Sequence, residues 1–260
     1  CIRDSLNTDS NKNFTFATDL GWLMASEVIA SGLDISFTPV LDLDDSRSSV
    51  IGDRSISDNP EQVIDIASAF IEGMNQAGME AIGKHFPGHG GIFADSHYTF
   101  SQDIRSLSEL ESHDLLPFDA LKLKLGGIMT AHISFTNIDK EIATFSKFWL
   151  QDILRNKMGF TGIIFSDDLS MKGSDYVGGI EAKVGKALES GCNMVLICND
   201  RPAVIEAINF LEKKKISQSQ KVTRLKASEA ISWADLKNDV RRIDIICLLY
   251  TSDAADECSG

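Results

Sequence analysis

Two rhythms of apolar residues alternate along this chain. From Asp19 to Ser31 (DLGWLMASEVIAS) the apolar positions recur at helical spacing; Gly32 then breaks the pattern ahead of DISFTPVLDL, residues 34–43, a short apolar run of β-compatible residues around Asp42. The same helix-then-strand unit returns four more times. Pro60 to Ala77, entered through Ser57-Asp58-Asn59 and left at Gly78, precedes a strand at Met79 to Gly83. Ser108 to Leu125 precedes GGIMTAH, Ser146 to Lys157 precedes TGIIFSDD, and Ile180 to Ser190 precedes GCNMVLIC. Apolar runs without alternation need cover on both faces, so the five units predict an α/β protein with parallel strands buried between helices.

No strand leads into a Gly-rich phosphate-binding turn, which makes a doubly wound nucleotide fold the weaker choice. Polar and ionisable residues gather just after the strands instead: Asp42, Lys84, His85, His132, Asp167, Asp168, Asn199 and Asp200. A (β/α)8 TIM-type barrel places its active site at that C-terminal face. Only five strands can be read, so the expectation is an incomplete barrel. Residues 17–239 are assigned to this partial barrel. Residues 1–16 are polar and unpatterned, and residues 240–260 do not continue the alternation; both stretches read either as extraneous sequence or as ragged natural termini.

Composition narrows the partners. With 25 Lys and Arg against 38 Asp and Glu, the net charge of −13 disfavours nucleic acid and anionic membranes and is compatible with a small neutral or cationic substrate. Five cysteines without a CxxC pair give no disulfide or zinc-finger framework, and Cys192 and Cys198, flanking NMVLI, read as buried strand thiols. No apolar run reaches the roughly 18 residues needed to span a bilayer, and no signal peptide opens the sequence, so a cytoplasmic enzyme is the default. Cys1 is not an initiator Met, which leaves room for sequence upstream.

The densest chemistry is Lys84-His85-Phe86-Pro87-Gly88-His89-Gly90-Gly91, running on to Asp95-Ser96-His97. Three readings stand side by side: a histidine-bearing structural turn, a metal site of His85, His89 and His97, or acid–base chemistry by Asp95 and His97. Pro87 and Gly88 remove the helix that would align His85 with His89, which weakens the metal reading. In an extended loop Asp95 and His97 point to one side, so the carboxylate can fix the imidazole tautomer and support its protonated form. Asp167 and Asp168 close an apolar strand; successive strand residues face opposite ways, so one is left for nucleophilic or electrostatic work while the other caps the following helix. Arg54, beside Asp53, suits either sugar hydroxyls or a loop ion pair, and His132 either lines a pocket or satisfies a neighbouring carbonyl.

Taken together, SFTPVLDLD, IGDRS, KHFPGHG, ADSH, IMTAHI and GFTGIIFSDDLSM resemble the β-N-acetylhexosaminidases of glycoside hydrolase family 3, in unbroken order over residues 17–211. The resemblance implies a (β/α)8 barrel that removes terminal β-linked N-acetylglucosamine with retention, typically from cell-wall muropeptides, without metal or organic cofactor. It implies Asp167 as nucleophile, His97 as acid/base and Asp95 as its orienting partner. Lys84, His85 and Arg54 match substrate-binding positions, and His132 matches a strand-end histidine near the pocket. A DQEGG-type segment and nearby arginine of the family are not present in these residues, so the first barrel strands are expected to be missing and the chain to be poorly active or inactive and prone to aggregation. A family 3 β-glucosidase or an inactive sugar-binding fragment are the alternatives; oligomeric state is not legible.

Overall fold

The computed structural model describes residues 10–44, 51–89, 101–217 and 219–257. Helix α1, Ser10–Ala30, begins well before the expected start at Asp19. Helix α2, Pro60–Gln76, follows the punctuation of its sequence: the Asn59 side chain accepts the N–H groups of Glu61 and Gln62, and Pro60 occupies the first turn. The two helices cross at contact distance because each presents a glycine. A Cβ on Gly73 would lie 1.9 Å from the Thr18 carbonyl oxygen, and one on Gly21 would lie 2.1 Å from that of Phe70.

Strand β1, Ala81–Phe86, opens the sheet. A short β2, Ser101–Asp103, precedes helices α3, Leu107–Glu111, and α4, Leu115–Leu121. Then come β3, Leu125–Thr130, β4, Ile133–Phe135, a π-helix over Phe148–Lys157, and β5, Ile163–Asp168. Helix α5, Ile180–Ser190, leads to β6, Met194–Leu196, and α6, Arg201–Lys213; α7, Trp233–Leu236, and α8, Val240–Glu257, complete the order.

The main sheet is parallel in the order β1-β3-β5-β6, while β2 and β4 form a separate parallel pair. Residues 38–41 lie along the free edge of β1. There Ile82 N–H donates to the Thr38 carbonyl (2.8 Å), Lys84 N–H to that of Pro39 (3.1 Å) and Leu41 N–H to that of Lys84 (2.7 Å). This segment makes one parallel bridge, Val40 to Lys84, rather than the full strand expected over 34–43, because Pro39 has no N–H to give. All five expected strand segments therefore stand side by side in chain order. A doubly wound sheet reverses its order at a switch point, whereas strictly sequential parallel strands belong to a barrel wound in one direction. The fold is a TIM-barrel-like α/β arrangement, and its described strands form an open arc.

Two apolar clusters lie on the two faces of that arc. The larger packs helices against the outer face; the smaller, Ile82, Met129, Ile163, Phe165 and Leu225, fills the concave side. Gly127 keeps that interior open to an aromatic ring, since a Cβ there would sit 2.8 Å from the Phe165 ring.

Several expectations need correction. The helix expected over 108–125 is two helices. A capping box of Ser106 and Glu109 starts the first at Leu107, and Pro117, lacking the N–H that a continuous helix would require, falls in the first turn of the second. Between them Asp114 is buried in an ion pair with Arg105 (2.7 Å), which also holds Asp103 (2.6 Å). Cys192 is buried and its thiol pushed up to about 12 by desolvation, but Cys198 lies beyond the end of β6 and is exposed. From residue 240, α8 docks on α1 through Arg241 to Asp19 (2.9 Å) and Arg242 to Glu27 (2.8 Å), with the Arg241 guanidinium 4.6 Å from the Trp22 ring centroid.

Candidate active site

Alternation along the strands selects what the sheet delivers to its C-terminal mouth. Ile82 faces the concave interior, so Lys84, two residues on, continues the same row; Ile163 and Phe165 do the same for Asp167. The register pairs Lys84 with Met129 and Met129 with Phe165, which puts Asp167 one step further toward the mouth. Burial lowers the Lys84 pKa, the nearby charge of Arg54 lowers it further, and Asp167 and Asp42 oppose this. Lys84, Arg54 and Asp167 thus share one electrostatic neighbourhood. Arg54 itself is exposed, on the helical turn Gly52–Arg54.

Asp42 is fully desolvated at the end of the edge segment. Its carboxylate accepts the His85 Nδ1–H at 2.6 Å, the His85 backbone N–H at 3.2 Å and the His89 backbone N–H at 2.8 Å. Burial pushes this carboxyl up, but the charges and hydrogen bonds of His85 and the charge of His89 outweigh it and hold the pKa below its ordinary value. His85 is buried at 7 % exposure, and with Nδ1 held by Asp42 its Nε2 is the nitrogen this contact leaves over. His89 packs edge-on against it, with ring centroids 5.8 Å apart, and desolvation depresses the His89 pKa.

The two carboxylates that close β5 do different work. Asp168 faces away from the concave row and accepts from Ser170 N–H (2.9 Å), Ser170 Oγ–H (2.7 Å) and Cys198 N–H (3.0 Å), tying the ends of β5 and β6 together. It therefore does not cap the following helical turn, Lys172–Val177, contrary to expectation. Asp167 Oδ1 accepts the Asp168 N–H at 2.8 Å, which leaves Oδ2 as the outer oxygen.

His132 follows the second of its two sequence readings, a neighbouring carbonyl satisfied, rather than the substrate-facing one. Both ring nitrogens are engaged inside the protein, Nδ1 with Thr144 Oγ1 at 2.8 Å and Nε2 with the Asp168 carbonyl at 2.9 Å, so it has no nitrogen left for a substrate hydroxyl. Asp95 and His97 lie outside the described residues, and so does the loop that joins them to Lys84 and His85. Among the described residues no cluster of His, Cys, Asp or Glu is arranged to hold a metal ion. Asp42, Thr130 and Thr144 were missed as site residues. Asp42 carried a signal, an acid at a strand end, whereas strand threonines read as β propensity.

The chain matches the model of the glycosyl hydrolase family 3 N-terminal domain over residues 4–227, wider at both ends than the stretch that carries the motifs. It belongs to that family. The β-hexosaminidase of Idiomarina loihiensis is 50% identical over 227 residues, covering 86% of this chain and 68% of that protein. The β-hexosaminidase of Tolumonas auensis is 47% identical over 245 residues, covering 92% and 73%. NagZ from Neisseria gonorrhoeae, solved in complex with N-trifluoroacetyl-D-glucosamine, superposes with a TM-score of 0.81 at 37% identity, over 92% of this chain and 70% of that one. The family 3 chain is thus a β-hexosaminidase-type enzyme, spanning about seven tenths of the length of these relatives. Among its described residues no helix is long and apolar enough to cross a membrane.

Proposed function

We propose that this protein hydrolyses terminal β-linked N-acetylglucosamine with retention of configuration, through a covalent glycosyl-enzyme on Asp167. The observation that supports the reading is the shared inward row at the strand ends, with Lys84 on β1 and Asp167 on β5, and the charges of both Asp167 and Arg54 acting on Lys84. Asp167 Oδ2 attacks the anomeric carbon as its bond to the leaving oxygen breaks, and His97, held by Asp95, gives that oxygen its proton. Water then attacks the same carbon, loses its proton to His97 and releases Asp167. Lys84, Arg54 and the Nε2 of His85 hold sugar hydroxyls. A neutral imidazole base places no second anion beside the nucleophile. A role in recycling cell-wall fragments in the cytoplasm is part of the same proposal, supported by the likeness to the β-hexosaminidases.

The test is turnover of a chromogenic aryl N-acetyl-β-glucosaminide by the parent chain and by Asp167→Asn. Loss of about a thousandfold or more in kcat supports the assignment. An Asp167→Asn chain that retains the parent rate overturns it.

A further inference from the structure

We propose that His132 is a positioning residue: with Thr130 and Thr144 it closes a ring of hydrogen bonds around the Asp167–Asp168 peptide and so fixes the aim of the Asp167 carboxylate. This rests on the reading of Asp167 as the nucleophile.

The direction of each hydrogen bond follows from its fixed ends. The Asp168 carbonyl can only accept, so His132 Nε2 carries a hydrogen and donates to it at 2.9 Å. Desolvation depresses the His132 pKa; Asp167 and Asp168 on β5 oppose this and Lys183 on α5 adds to it, so the ring is neutral and Nδ1 is an acceptor. Thr144 therefore donates to Nδ1 at 2.8 Å. Its competing acceptor, the Ala131 carbonyl at 3.2 Å, would leave a buried nitrogen unsatisfied. With its one hydrogen committed, Thr144 Oγ1 accepts from Thr130 Oγ1–H at 2.8 Å, and Thr130 Oγ1 accepts the Asp167 N–H at 3.3 Å.

The chain of donors runs from the N–H of Asp167 through two hydroxyls and one imidazole to the C=O of Asp168. Both ends of the dipeptide are held, so the backbone torsions that aim the Asp167 Cβ are held too. Thr130, Thr144 and His132 are all at most 5 % exposed, and the His132 ring lies nearly parallel to Phe145 at 6.1 Å, which keeps it in plane. A ring of this kind acts on the geometry of attack rather than on sugar binding, so its loss appears in kcat.

Two measurements on the whole chain decide the matter. Imidazole nitrogen NMR, with the His132 signals identified by their loss in His132→Gln, is expected to show at pH 7.5 a neutral ring protonated on Nε2. A ring protonated on Nδ1, or on both nitrogens, overturns the proposal, and this reading does not depend on turnover. In kinetics on the aryl N-acetyl-β-glucosaminide, Thr144→Val is expected to lower kcat about tenfold or more with KM within about twofold, and Thr144→Ser to restore it. Adding His132→Gln to Thr144→Val should cost little more, since both break one ring. Unchanged kcat in Thr144→Val, or effects that simply add, overturns the proposal. A parent chain with the expected tautomer and no turnover counts against the function while supporting the ring.

Discussion

Asp42 and His85 share a buried hydrogen bond of 2.6 Å, and the same carboxylate holds the backbone on either side of the turn that follows β1. One desolvated charge thus sets both the tautomer of the His85 imidazole and the path of the turn that leaves the strand. Asp42→Asn removes the charge and puts a donor where two or three donors already converge. The expected result is a loss of about 3 kcal/mol in urea denaturation. The same variant should weaken aryl glycoside kcat/KM by at least about tenfold.

The sign of the acid limb follows from the same group. The Asp42 pKa is lower in the folded chain than the roughly 3.9 of an unfolded aspartate. The unfolded chain therefore binds the proton first as pH falls, so the pair's contribution is complete above about pH 4 and fades as pH drops through the folded value. Urea midpoints of the parent, measured across the acid range, should fall more steeply than those of Asp42→Asn.

His89 and His132 place a second limb nearer neutrality. Burial keeps both below the roughly 6.5 of an unfolded histidine, so both are neutral in the fold and take up protons on unfolding. Their contribution is whole above about pH 6.5 and is lost progressively as pH falls toward their folded values. The urea midpoint should be lower at pH 5.0 than at pH 7.5; a flat profile between them would count against both rings being buried and neutral.

The crossing of α1 and α2 predicts a sharp size limit. Gly73→Ala forces a methyl group into the Thr18 carbonyl, and the helices must separate, at an expected cost of about 3 kcal/mol. Gly32→Ala is the control. Nothing lies within 4 Å of a Cβ there, so only its φ of +83° resists, at about 1 kcal/mol. Thermal midpoints of the two variants should rank in that order.

Asp167 and Asp168 should part company under the same substitution. Asp168→Asn keeps Oδ1 as acceptor for the Ser170 and Cys198 N–H groups and gives up the Oδ2 that accepts from Ser170 Oγ–H, which lowers stability by about 1 kcal/mol and activity by at most about tenfold. Equal losses for Asp167→Asn and Asp168→Asn would contradict the division of labour between the two faces of β5.

Local punctuation made part of this structure legible in advance. Helices α2 and α5 read almost to the residue, because Asn59-Pro60 and Gly191 mark their ends through the backbone itself. The split of α3 from α4 depends partly on Arg105 reaching Asp114 nine residues away, a contact that no periodicity reports. The segment around Pro39 has the composition of a strand but lacks one donor that a ladder needs. Lys84 and Asp167 were recognisable as strand-end residues, and the sheet register then explains why they share a row. His132 was recognisable too, and its bond to the Asp168 carbonyl is one of the two readings its position allowed, but its partner Thr144, twelve residues on, was not legible. Asp95 and His97 rest on the motif alone, since they lie outside the described residues.

The sequential order of the strands bears on how the chain is made. Each strand of the main sheet pairs with the main-sheet strand that precedes it in the chain, so that sheet can grow without holding distant segments together. Helix α8 is the exception. Its arginines clasp Asp19 and Glu27 across more than two hundred residues, so that contact can form only after every strand described between them has been made.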